Sequence, residues 1–119
     1  LKQVIQLDNT DLLLVIAYGT CYLMDPDDTK PVAVFGVDYC QIYQASNDRL
    51  VLQDQTSLTI IESDGTHWDT ERISWDGLAE VRIEANVVSG LAFSPTSTWG
   101  EWVEFSYDID TRSLVGGSF

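Results

Sequence analysis

The sequence has 119 residues, the size of a single domain, and its 45% hydrophobic content, including four Trp, five Tyr and four Phe, is enough to fill one core. Nineteen Asp and Glu against six Lys and Arg give a formal charge of −13, which removes the positive footprint that phosphate contacts need and repels anionic lipid; neither nucleic acid nor a membrane is an expected partner. The longest apolar run, residues 12–18, is flanked by Asp11 and falls far short of the roughly 20 residues of a membrane-spanning helix.

Along the chain, period-two alternation and closely spaced turn residues predict strands, with no 3.6-residue apolar stripe to mark a helix. Residues 3–7 form the first candidate strand, and Asp8-Asn9-Thr10-Asp11 turns the chain into the apolar strand 12–18. Strands 20–25, 31–36 and 39–44 follow, the first two separated by Asp25-Pro26-Asp27-Asp28, where the fixed φ of Pro26 suits a turn. Ser46-Asn47-Asp48 leads to strands 49–54 and 57–62, and Ser63-Asp64-Gly65-Thr66 to a strand over 67–75. In 79–84, Ala79, Val81 and Ile83 alternate with Glu80, Arg82 and Glu84, which puts the apolar three on the inner face. Strand 87–93 comes next. Val103, Phe105, Tyr107 and Ile109 then alternate with Glu104, Ser106, Asp108 and Asp110, and Asp110-Thr111-Arg112 turns into a last strand, 113–117.

Asn9, Asn47 and Asn86 lie 38 and 39 residues apart, each ahead of an apolar strand and a second strand ending in an acidic turn. The spacing predicts one all-β domain over 1–119 with about twelve short antiparallel strands. They group as three four-stranded repeats in a prism-like or propeller-like body, in which strand 3–7 completes the last unit and closes against the final strand. A β-sandwich or β-trefoil is the alternative.

Candidate sites are weighed residue by residue. The carboxylates of Asp25-Pro26-Asp27-Asp28-Thr29 lack the Gly and closing Glu of a calcium loop, so no metal is expected, and no cofactor motif is present. Cys21 and Cys40 are too few for a disulfide scaffold; they are free thiols or a single bridge. His67, the one histidine, stands with Asp69 and Glu71 in a pattern that a small hydrolase could use, but no nucleophile motif accompanies it. Carboxylate pairs such as Glu80 with Glu84 are too common here to specify a glycosidase. Trp68 and Trp75 are expected in the core, beside Ile73 and Leu78. The loop Ser94-Pro95-Thr96-Ser97-Thr98-Trp99-Gly100-Glu101-Trp102 has surface composition, so Trp99 and Trp102 either cap the core or meet a partner.

A small, acidic, all-β chain without catalytic machinery resembles, in size, charge and class, the bacterial immunity proteins of contact-dependent growth inhibition. That resemblance implies a non-enzymatic, cytoplasmic inhibitor that binds a basic toxin domain, such as a nuclease, by direct contact. Segments Ile73-Ser74-Trp75-Asp76-Gly77, Trp102-Val103-Glu104-Phe105 and Gly116-Gly117-Ser118-Phe119 are also similar to the strand-and-turn units of small propeller-like β proteins. The partner-binding surface is expected on Asp64, His67, Asp69, Glu71, Trp99, Glu101 and Trp102, all in or near connections. A carbohydrate-binding β-repeat module is the alternative function. The absence of a basic leader with a cleavage site agrees with a cytoplasmic location.

Overall fold

The computed structural model describes residues 2–7, 10–28, 30–95 and 99–119. Among them run twelve strands and no helix. They are β1 (Gln3–Gln6), β2 (Leu13–Ala17), β3 (Thr20–Met24), β4 (Pro31–Phe35), β5 (Gln41–Gln44), β6 (Leu50–Gln53), β7 (Leu58–Ile61), β8 (His67–Asp69), β9 (Leu78–Glu84), β10 (Val87–Ser94), β11 (Glu101–Asp108) and β12 (Ser113–Gly116). The strand expected over 67–75 stops at Asp69, and residues 70–77 form a connection instead.

The protein is all-β, built as three antiparallel meanders of four strands: β1 to β4, β5 to β8 and β9 to β12. Local chemistry makes the hairpins. Tyr18 and Gly19, both at positive φ, join β2 to β3 in the two-residue form whose twist matches the strands. Asn47 and Asp48, also at positive φ, occupy the corresponding bend between β5 and β6. Asn47 and Asn86 mark the first turn of their sheets, while Asn9 lies outside the described residues.

The expected closure of first strand on last does not occur. β1 pairs with β2 and β12 with β11, and neither pairs with the other. Each sheet begins one strand earlier than the Asn spacing implies, because a short turn makes the neighbouring strand in sequence the cheapest partner to reach.

The three sheets stack face to face. Leu14, Ile16, Cys21 and Leu23 of the first sheet meet Leu50, Leu52 and Ile61 of the central one. On the opposite side, Val51, Leu58 and Ile60 meet Val88, Ala92, Phe105 and Tyr107 of the third. Every residue of β6 and β7 is therefore buried. This two-sided burial explains why Leu50-Val51-Leu52 and Leu58-Thr59-Ile60-Ile61 read as blocks rather than alternations.

The outer faces differ. Across the first sheet, Val4, Val15, Tyr22 and Val34 stand in one register row on the outer side, whereas the third sheet turns Glu80, Arg82, Glu84 and Glu104 outward. Phe105 and Tyr107 are buried as expected, and Val81, Ile83 and Val103 pack on the core. Ala79 does not. Glu80 takes positive φ, and the β9–β10 register shifts between Ser89 and Leu91, so a bulge reverses the alternation and puts Leu78 inside in place of Ala79.

Candidate functional site

The stack has two turn-bearing ends. One carries the β2–β3, β6–β7 and β10–β11 connections and the C-terminus, tied together by Tyr39 N to Gly19 O, Ile73 N to Thr56 O and Gly77 N to Gln55 O. Connection 70–77 crosses this end from the central to the third sheet. Its backbone is locked by the C-terminal segment: Ser118 N and Phe119 N both donate to Ile73 O, and Ser118 Oγ donates to Phe93 O at 2.6 Å. Buried Ser74 donates to Gly77 O at 2.7 Å and accepts from Asp76 N.

Aromatic rings collect on this frame. Trp75 and Phe119 meet edge to face with centroids 4.8 Å apart, and the Arg72 guanidinium lies over both, 4.6 Å from Phe119 and 5.6 Å from Trp75. Arg72 is held there by donating to Ser74 O and Trp75 O. Beyond Gly77, Trp102 packs edge to face on Phe93 at 5.3 Å, and a side chain at Gly77 would touch the Trp102 ring. The rings face water: Trp75 is 44% exposed, Trp102 49%, Phe119 61% and Trp99 92%. A half-exposed ring held by fixed neighbours loses little freedom when a partner covers it, which makes this cluster suited to recognition. Glu71, Asp76 and Glu101 are exposed around it.

The expected site residues divide. Trp99, Glu101 and Trp102 belong to this end, with Trp99 fully solvent-facing rather than capping the core; Thr96, Ser97 and Thr98 of the same loop lie outside the described residues. Glu71 lies in the crossing connection. Asp69 ends β8 and accepts from Thr59 Oγ1 at 2.6 Å; since that hydroxyl's proton is committed, the Tyr39 phenol donates to Thr59, also at 2.6 Å. This chain of bonds fastens the connection between β4 and β5 to the central sheet. Asp64 is at the opposite end, in a turn packed on Leu7 and Leu12, where the Thr66 hydroxyl and amide hold its carboxyl below the usual range. His67 stacks on Phe35 with centroids 3.8 Å apart and makes no hydrogen bond with Asp69 or Glu71.

The expectation that Trp75 is a core residue is corrected: because β8 ends early, Trp75 sits on the connection and opens to solvent. Trp68 does pack against the core, with the Arg112 guanidinium 3.9 Å from its ring centroid. Sequence reading did not place Arg72 or Phe119 in a site. The one available signal was the turn chemistry of Ser74, Asp76 and Gly77 around Trp75. Among the described residues no three His, Cys, Asp or Glu side chains group as metal ligands. Asp25 and Asp28 instead accept from Asp27 N and Lys30 N within their own turn, while Thr29 lies outside the described residues. Cys21 and Cys40 are free thiols. No helix is long and apolar enough to cross a membrane. Comparison with protein-family models and with curated proteins yields no match to this chain.

Proposed function

We propose that the protein acts by binding a basic protein and covering its working surface, as an immunity protein does to a toxin domain, with the aromatic and arginine cluster as the anchor. The observation that supports this reading is the cluster itself: exposed Trp75, Trp102 and Phe119 with Arg72, held on a hydrogen-bonded frame, in a chain of charge −13. Trp and Arg are the side chains that most often dominate interface energetics, and a strongly acidic body speeds encounter with a basic partner. A nuclease is the favoured target because a surface that grips phosphates is itself positive.

The test is to express the products of the neighbouring genes and to measure, by a kinetic method, their binding to this protein and its inhibition of any nuclease activity they carry. Trp102→Ala and Trp75→Ala are expected to raise the dissociation rate by roughly 30-fold, the equivalent of a 2 kcal/mol hot spot. Glu101→Lys is expected to slow association and weaken its salt dependence. The half-exposed rings also favour a sugar-binding reading. Saturable binding on a glycan array, with no protein partner, would establish that reading instead.

A further inference from the structure

The outer face of the third sheet carries a hollow of about 620 Å³, lined by Glu80, Arg82, Leu91, Glu104, Ser106 and Val115. Its shape is built into the backbone. Gly90 and Gly116 lie within it, and a Cβ at either would strike main chain, 2.9 Å from Ala79 O for Gly90 and 2.3 Å from Glu104 O for Gly116. Opposite Gly90, the β9 bulge displaces Glu80 from the regular pleat.

Two features tell what it could hold. Glu80 on β9 and Glu104 on β11 flank β10, so they stand about two strand spacings, roughly 10 Å, apart at the backbone, with their carboxylates on the same side of the sheet. Among the described residues no ion pair neutralises either one, nor Arg82. The hollow also continues into the aromatic cluster, because Trp102, Glu104 and Ser106 are successive outward residues of β11 and Phe93 and Leu91 of β10. We infer that this hollow seats an arginine or lysine side chain of the bound protein, its cationic head between Glu80 and Glu104 and the adjoining partner surface on Trp102. This deepens the proposed function and rests on it for the source of the side chain.

The test is separable from that reading. The intact chain, labelled for NMR, is titrated with Nα-acetyl-arginine methylamide and, in parallel, with the uncharged citrulline analogue. Saturable shifts at the Gly90, Ser106 and Gly116 amides are expected with the arginine probe alone, and they are expected to vanish in Glu80→Gln/Glu104→Gln, which replaces exposed groups by isosteres. Equal shifts with both probes, shifts elsewhere, or unchanged shifts in the double variant would overturn the inference. If the toxin domain binds with sensitivity to Trp102→Ala but is indifferent to the double variant, the hollow is refuted and the protein-binding function stands. A saturable, glutamate-dependent arginine response without any protein partner gives the reverse result.

Discussion

The Tyr39 phenol donates to Thr59 where the connection between β4 and β5 meets the central sheet, and burial pushes its pKa up to about 12, with the nearby Asp69 carboxylate adding to the rise. Burial likewise pushes the Cys21 thiol up to about 12. Both groups ionise more readily in the unfolded chain, so above their ordinary values the unfolded state loses protons that the folded state keeps. Their contribution to stability is complete below about pH 9 and is lost as pH rises toward 12. Denaturant titration across pH 8 to 12 should show that fall, and Tyr39→Phe should flatten it while costing about 0.5–1.5 kcal/mol at neutral pH for the lost hydrogen bond. Phe105, 3% exposed in the core between central and third sheets, provides a second test at this scale. Phe105→Ala should destabilise by about 3–5 kcal/mol, and a change near zero would mean that β11 presents its other face to the core.

β9 shows how one backbone irregularity decides what a strand displays. Its sequence alternates from Ala79 to Glu84, but the bulge at Glu80 and Val81 moves Ala79 off the core face and turns the glutamate toward the hollow. Gly90 permits this, because Ala79 O, Val81 Cα and the Phe105 ring all lie within 3.1 Å of where its Cβ would be. Gly90→Ala should therefore cost about 1–3 kcal/mol, the range of overpacking, and shift the Glu80 and Val81 amide signals. Most isolated Gly→Ala changes at compatible backbone are neutral or stabilising, so stabilisation here would show that the bulge does not need the open space.

The whole molecule measures 53 × 27 × 18 Å, with a Cα radius of gyration of 14.9 Å. A compact chain of this length is expected near 13.5 Å, roughly a tenth less. The excess follows from stacking three sheets in an open series, since closing the first against the third would shorten the long axis. Small-angle scattering should give an elongated particle with a radius of at least about 15 Å; a near-spherical profile would contradict the open stack. At this scale the charge also matters. Six basic residues cannot neutralise nineteen acidic ones, so salt should raise the melting temperature by screening carboxylate repulsion, despite weakening pairs such as Arg49 with Asp110 at 2.7 Å.

The twelve strands were legible in the chain because their signals are short-range: an alternation over six residues, or a bend at Ser46-Asn47-Asp48 or Ser63-Asp64-Gly65-Thr66, depends only on neighbours. The threefold grouping was legible for the same reason, each unit being a run of hairpins. Part of the surface was too, since the Pro and Gly around Trp99 and Trp102 mark a connection wherever it lies. What only the tertiary structure decided was which faces are covered and which distant residues meet. Leu50-Val51-Leu52 is apolar throughout, but two further sheets are needed to say that both its sides are buried. Trp75 is open to water, and Arg72 and Phe119 join it, because the C-terminal segment returns to hydrogen-bond Ile73 across more than forty positions of chain. Such contacts arise from the packing of whole sheets, and no local pattern of residue types encodes them.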